Sequence, residues 1–311
     1  MAIQQFFLKG YGASFKIVGG RGLFPGGDNP AHSAGSGGLN QIDYITIDTT
    51  ANAADFGDLT NARGLAATAS NGSRGVSFAG SAPAMQNTID YVTFASTGNA
   101  TDFGDGGSQA GSGGVGSKIG RGVFMGGDPG PARDRISYIQ IDTPSNSSNF
   151  GDLGSLRAYT QAVGNGTRAV ACGGEQNPGN TTMEYVTVAT TGNATSFGNL
   201  NAGVWLPYNG NCTTNSGDRG LVVAGIGQPA SAMQYFTISS TGNASSGTQL
   251  ESSGQRYAGG TTSNGDSRGI AAGGTGEINN IWYWSGGTGG TASDFGDLTI
   301  GKTYANGNSG D

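Results

Sequence analysis

Arg121-Gly-Val-Phe-Met-Gly-Gly127 reads as a short β-strand stopped by two glycines, and the chain repeats it as Arg21-Gly-Leu-Phe-Pro-Gly-Gly27, Arg168-Ala-Val-Ala-Cys-Gly-Gly174 and Arg268-Gly-Ile-Ala-Ala-Gly-Gly274. Looser copies begin at Arg74 and Arg219. The six arginines are separated by 53, 47, 47, 51 and 49 residues. The second residue after each is aliphatic: Leu23, Val76, Val123, Val170, Leu221 and Ile270. Such a period marks an array of supersecondary units and excludes a disordered chain.

Downstream of each arginine lies a second β-rich run centred on tyrosine: Ile42-Asp-Tyr44-Ile, Ile89-Asp-Tyr91-Val, Ile136-Ser-Tyr138-Ile, Met183-Glu-Tyr185-Val, Met233-Gln-Tyr235-Phe and Ile281-Trp-Tyr283-Trp. A Phe-Gly pair follows the tyrosine by 12 residues at Phe56, Phe103, Phe150, Phe197 and Phe295, while unit five has Gly247 there. A small-residue segment then leads to the next arginine, as in Arg63-Gly-Leu-Ala-Ala-Thr-Ala-Ser-Asn-Gly72, whose ending is a hairpin-turn signal. This makes four strands per unit. Four-stranded units of about 50 residues that cannot bury a face alone predict a β-propeller, here with six blades starting near 21, 74, 121, 168, 219 and 268.

The chain stops just short of a seventh arginine, and Lys302-Thr-Tyr-Ala-Asn-Gly307 matches the small-residue first strand. The expectation is that the C-terminal segment joins the first blade and closes the ring without a free edge. Tyr11-Gly-Ala-Ser-Phe-Lys-Ile-Val18 is a second candidate for the same strand. Residues 1–20 read as an N-terminal extension, with Ile3, Phe6, Phe7 and Leu8 available to anchor on a partner.

Composition narrows the function. Glycine contributes 61 of 311 residues, charged residues only 12%, and the net charge is −6, which argues against a phosphate-backbone binder. One histidine and two cysteines cannot build a multi-histidine metal site, a zinc cluster or a disulfide framework. No signal peptide is read at the start, and no run of about 18 apolar residues is long enough to cross a bilayer.

Loop lengths separate the two ends of the ring. The tyrosine-to-phenylalanine interval is constant, with loops such as Thr97-Gly-Asn-Ala-Thr101, whereas the arginine-to-tyrosine intervals run 23, 17, 17, 17, 16 and 15. The variable loops between second and third strands share a face with the inter-blade connections, and that face is where binding is expected. The candidate binding residues on it are Asp28, Asn29, His32, Asn40, Asp128, Arg133, Glu175, Asn177, Gln228 and Glu277. No catalytic, cofactor or metal residue is assigned.

Several motifs weigh more towards scaffold than chemistry. Gly296-Asp-Leu-Thr-Ile-Gly301-Lys302-Thr303 matches the phosphate-loop pattern, but that motif needs a helix after the loop and the chain ends eight residues later. Asp-Phe-Gly at Asp55, Asp102 and Asp294 recurs blade by blade, so its aspartate reads as a turn acceptor rather than a calcium ligand. The six repeat arginines lie one blade apart and read as inter-blade donors. A second cationic set, Arg63, Arg157, Arg256 and Lys302, begins the inner strands and is expected to pair with Asp58, Asp152 and Asp297. Cys172 reads as core, Cys212 as a thiol near a turn, and His32 as a solvated loop residue. Eight Asn-x-Ser/Thr sequons, Asn99-Ala-Thr among them, read as turns.

Laid out as a small first strand, Asn-Gly-x-Arg-Gly-Val-Phe-x-Gly-Gly, then Ile-Asp-Tyr and an aromatic, the unit resembles the kelch repeat of galactose-oxidase-like propellers over residues 21–311. It departs from kelch in having Phe-Gly-Asp-Leu for the usual tryptophan and Ile-Asp-Tyr-Val-Thr for Val-x-x-Tyr-Asp. The wording Thr-Gly-Asn-Ala-Thr-Asp-Phe-Gly-Asp is similar to kelch-type arrays in virion proteins of marine tailed bacteriophages. That resemblance implies a non-enzymatic particle component of tail, fibre, neck or capsid surface, made in the host cytoplasm. Its partners would be other virion proteins, held through residues 1–20, and host-surface polysaccharide. Copper chemistry does not carry over, because it needs two histidines and a Tyr–Cys pair. A carbohydrate-active propeller enzyme and a cellular kelch-type scaffold are the alternatives.

Overall fold

The computed structural model describes residues 20–31, 37–81, 84–117, 119–127, 134–175, 180–201, 211–215, 217–223, 233–247, 259–261, 268–274, 276–285, 292–304 and 306–310. They form six four-stranded antiparallel sheets arranged as the blades of a β-propeller, with no helix among the described residues.

Blade 1 holds β1 (Arg21–Pro25), β2 (Gln41–Thr46) and β3 (Ala54–Asp58). Blade 2 is β4 (Ala67–Ser70), β5 (Arg74–Ser81), β6 (Met85–Thr93) and β7 (Thr101–Asp105). Blade 3 is β8 (Gly113–Val115), β9 (Arg121–Met125), β10 (Arg135–Gln140) and β11 (Ser148–Asp152). Blade 4 is β12 (Gln161–Gly164), β13 (Arg168–Cys172), β14 (Thr182–Thr187) and β15 (Thr195–Asn199). Blade 5 is β16 (Asn211–Asn215), β17 (Arg219–Val223), β18 (Met233–Thr237) and β19 (Ser245–Ser246). Blade 6 is β20 (Gly259–Thr261), β21 (Arg268–Ala272), β22 (Asn280–Ser285) and β23 (Ser293–Asp297). The last strand, β24 (Asn308–Ser309), pairs with β1 through Gly22↔Ser309 and Leu23↔Asn308, so the C-terminus supplies the inner strand of blade 1. The other candidate for that strand, residues 11–18, lies outside the described residues.

The second strand of each blade reads as a nearly continuous apolar run because both of its faces are covered, one by each neighbouring blade. The core is accordingly six clusters lying between blades. Leu23, Ile42 and Phe56 meet Val92 and Phe94 between blades 1 and 2. Phe24, Ile45 and Ile47 meet Ile270, Ile281 and Phe295 between blades 1 and 6, which closes the ring hydrophobically as well as by strand pairing. Cys172 belongs to the cluster between blades 4 and 5, as expected of a core residue. Cys212, expected near a turn, instead lies within strand β16.

The Phe-Gly marker is a β-bulge. In blade 1 the register runs Ile42↔Gly57 and then Asp43↔Asp55, leaving Phe56 as the extra residue. The same shift occurs in blades 2, 3, 4 and 6. The bulge turns Phe56 inward, edge-on to Tyr44 at 5.8 Å, and the equivalent pairs repeat at 5.9–6.0 Å in blades 2, 3, 4 and 6. Glycine is needed next because the following blade's loop presses on the backbone: a Cβ on Gly57, at φ +143°, would sit 2.4 Å from the Gly98 carbonyl oxygen.

The fixed loop between third and fourth strands makes that contact. Gly98 donates to the Phe56 carbonyl (2.7 Å), Ala100 to the Asp58 carbonyl (2.7 Å), and the Asn99 side-chain oxygen accepts from the Asp58 amide (3.0 Å). Asn146, Asn193, Asn243 and Asn52 accept in the same way from the preceding blade. Four of these asparagines, Asn99, Asn146, Asn193 and Asn243, begin sequons, so their side chains stitch blades together.

The repeat arginines do the same at the start of the second strand. Arg74 donates to the carbonyls of Ile141 and Asp142, Arg121 to Val188 and Ala189, and Arg168 to Ile238 and Ser239, each in the next blade. Arg268 of blade 6 reaches Ile47 of blade 1, completing the circle. Each guanidinium also lies over the tyrosine of its own blade, at 4.4–5.2 Å from the ring centre. Arginine, tyrosine and phenylalanine are thus one structural column, as the inter-blade reading of the sequence expects.

Candidate functional site

The end of the ring that carries the variable loops is built on the cations that lead into the inner strands. Arg63 pairs with Asp90 (2.8 Å), Arg157 with Glu184, and Lys302 with Asp43 (2.8 Å), each within one blade and with both partners buried. The partners expected from sequence, Asp58, Asp152 and Asp297, are not the ones used. They end β3, β11 and β23, and the acid that meets each cation lies instead on the third strand, beside the bulge.

A residue three before the cation completes each site. Thr60 donates to Asp90 (2.5 Å), Thr299 to Asp43, and the Gly154 amide to Glu184 (2.8 Å). Blade 3 replaces the ion pair with neutral groups. Gln109 donates to the carbonyls of Gly126 and Arg135, and Ser137, at the acid's position, donates to the Gln109 side-chain oxygen (2.7 Å). Burial pulls the Lys302 ammonium below its ordinary value against the opposing pull of Asp43, and takes Arg157 down to about 10. With Lys302 held by Asp43 and the Phe24 carbonyl, the phosphate-loop pattern has no free lysine.

The residue after the Gly-Gly stop bridges the residue after the cation. Asp28 pairs with Thr303 through two backbone hydrogen bonds of 2.7 and 2.9 Å, Ser81 with Gly64, and Glu175 with Ala158. Asp28 and Glu175 therefore hold equivalent places in blades 1 and 4. A Cβ on Gly64 would lie 2.2 Å from Asp28 Oδ1, an atom that is buried and accepts no hydrogen bond from the described residues. Desolvation holds the Asp28 carboxyl up at about 6.

The candidate binding residues divide. Asn29 is buried, with its side chain donating to the Gly301 carbonyl (2.5 Å) and accepting from Ala31, so it anchors the long loop to the closing segment rather than facing a ligand. Asn40 and Glu277 are exposed, and Asp28 and Glu175 are half-buried. His32, Asp128, Arg133, Asn177 and Gln228 lie outside the described residues. No hydrogen bond or ion pair links one of the described candidates to another. Among the described residues no three metal-ligating side chains come together.

Sequence reading missed the residue two after each cation. Leu65, Tyr159 and Tyr304 take left-handed backbone conformations, with φ of 58°, 53° and 54°, and blade 3 has Gly111 there at 66°. These residues lead into the inner strands. The Leu65 amide donates to the Tyr304 carbonyl (3.0 Å) and the Gly111 amide to the Leu65 carbonyl (2.9 Å), linking blades 1, 2 and 3. No residue type announces such a conformation outside glycine and asparagine, so only alignment of the repeats with Gly111 could have flagged it.

No protein-family model matches the chain, and no curated protein matches it.

Proposed function

We propose that this chain is a non-enzymatic virion component of a tailed bacteriophage, a propeller that presents its variable-loop end to a host-surface glycan or to another virion protein. The observation that carries this reading is the division of labour between the two ends. At the turn end Arg21, Arg74, Arg121, Arg168 and Arg268 and the loop asparagines Asn52, Asn99, Asn146, Asn193 and Asn243 are used on neighbouring blades, whereas the other end carries the longest and most variable loops. The repeat wording shared with virion kelch-type arrays supports the particle assignment. The engagement of Arg63, Arg157 and Lys302 in internal pairs supports binding over catalysis, since those charges hold the blades. Residues 1–20 would fix the propeller in the particle.

Immunogold electron microscopy of particles from the source, with antibody to the recombinant propeller, tests this. Label at fibre or tail tips is the result expected of host recognition, and label on neck or capsid that of assembly or decoration. Particles carrying no label would overturn the virion reading.

A further inference from the structure

The Asn-Gly pair that signals a hairpin turn occurs three times among the described residues, as Asn71-Gly72, Asn165-Gly166 and Asn306-Gly307. Asparagine before glycine is the side-chain amide most open to attack by its own backbone, because glycine leaves the following nitrogen uncrowded and free to turn. The three copies are held differently. Asn71 Oδ1 accepts from the Ser73 and Arg74 amides (3.1 and 2.9 Å), and its Nδ2 donates to Asp142 of the next blade (2.7 Å). Asn165 repeats this with the Thr167 and Arg168 amides (3.1 and 2.9 Å) and with Asp218 (2.8 Å). Asn306 makes a single side-chain hydrogen bond among the described residues, from Nδ2 to the Ala66 carbonyl.

The backbones around the three pairs differ as well. The first two turns join strands that pair over four residues, β4 with β5 and β12 with β13. Asn306-Gly307 leads instead into β24, which pairs with β1 over two. Around that pairing the segment is held by single contacts, the Thr68 hydroxyl donating to the Gly307 carbonyl (2.7 Å) and the Gly310 amide to the Arg21 carbonyl (3.0 Å). Upstream, Lys302 is fixed by its ion pair with Asp43, and Thr303 by its backbone bridge to Asp28. Residues 306–310 are thus the part of the closing segment that opens while 302–304 stay docked, since short elements with few contacts open at the lowest free energy.

We infer that Asn306 is a site of spontaneous deamidation, and that its conversion releases the strand that closes the ring. In the opened segment the Gly307 nitrogen attacks Asn306 Cγ. A C–N bond forms, the bond from Cγ to Nδ2 breaks, and the proton lost by the Gly307 nitrogen passes through water to the departing nitrogen, which leaves as ammonia. Water then opens the cyclic imide to aspartate or to isoaspartate. Aspartate sets an oxygen where Nδ2 donated to the Ala66 carbonyl, so the bond is lost and an acceptor faces an acceptor. Isoaspartate adds a methylene to the backbone just before Asn308 and Ser309, which are buried and in register with Leu23 and Gly22. Either product makes a reversible opening a lasting one. At Asn71 and Asn165 the two amides on Oδ1 polarise the carbonyl but also fix its angle, so attack there requires their bonds and the one to the next blade's aspartate to break first.

Ageing the full chain in mildly alkaline buffer, with peptide mass spectrometry at each Asn-Gly pair and a parallel sample in urea for the intrinsic rates, tests this independently of what the propeller binds. The folded-to-urea rate ratio at Asn306 is expected to exceed those at Asn71 and Asn165 about tenfold. The aged chain is expected to melt lower by about 2 °C or more. Asn306→Gln, whose longer side chain closes the imide ring slowly, is expected to keep its own melting temperature through the same ageing. Equal ratios at the three pairs, or a higher one at Asn71 or Asn165, would overturn the site. Conversion at Asn306 with melting unchanged would overturn the release of the closing strand. The rate ratios and the melting shift are both read from the parent chain, so they decide the matter whether or not the glutamine variant folds.

Discussion

Blades 4 and 3 meet the same set of backbone acceptors with different chemistry. In blade 4, Arg157 donates to the carbonyls of Gly173 and Thr182 and pairs with Glu184. In blade 3, Gln109 donates to the equivalent carbonyls of Gly126 and Arg135 and is met by Ser137. Both partners change together. The difference teaches that the fold demands a buried donor satisfied on its far side, and that charge is one way of providing it. This agrees with the general finding that a buried ion pair is replaceable as a unit while half of one is not.

The largest effect should come from breaking the pair. Arg157→Ala leaves Glu184 buried without its cation and two carbonyls without their donor, and is expected to cost about 3–5 kcal/mol in denaturant unfolding. The double change Arg157→Gln with Glu184→Ser copies blade 3 and should restore most of that loss, to within about 1–2 kcal/mol of the parent. If the double variant is no more stable than Arg157→Ala, the two blades are not interchangeable and the comparison fails.

This exchange also shows where sequence reading reached and where it stopped. Blade number, strand order and closure were legible because the period fixes them: Arg21, Tyr44 and Phe56 recur at near-constant spacing, and Lys302 to Gly307 matches a first strand. The ion-pair partners were not, because Asp58 lies close to Arg63 in sequence whereas Asp90 is brought to it by strand pairing within the blade. A signal was present nonetheless. Reading down blades 1 to 4, Lys302 with Asp43, Arg63 with Asp90, Gln109 with Ser137 and Arg157 with Glu184 change in step. The binding residues were legible only as a face, since Asn29 looks like any loop asparagine until Gly301 is seen beneath it.

A smaller effect tests the variable end through Asp28. Its folded carboxyl titrates at about 6 against an ordinary 3.8, so the folded state binds its proton more tightly. The stability this supplies is fully present below about pH 4 and is lost as pH rises through 6. Partial exposure screens it, and a loss of about 1–2 kcal/mol is expected. Asp28→Asn keeps the shape without the charge, so its unfolding free energy should lack that decline between pH 4 and 7. The equivalent Glu175→Gln serves as the comparison in blade 4. An unchanged pH profile in Asp28→Asn would show that the carboxylate is better solvated than its position against Gly64 implies.

The smallest effect belongs to the turn end, where the blades behave alike. Arg121 donates from one nitrogen, Nη1, to the carbonyls of both Val188 and Ala189 at 3.0 Å, and its guanidinium lies 4.6 Å over the Tyr138 ring. Lysine keeps the charge but not the planar fork, so Arg121→Lys should cost about 1 kcal/mol. Arg74 and Arg168 make the same pair of carbonyl contacts over Tyr91 and Tyr185, so Arg74→Lys and Arg168→Lys should cost the same. The three sites lie one blade apart and share no acceptor carbonyl, so the triple variant should lose about the sum of the single losses in denaturant unfolding. Unequal or strongly non-additive losses would mean that the turn end, despite its uniform sequence, is held together differently from blade to blade.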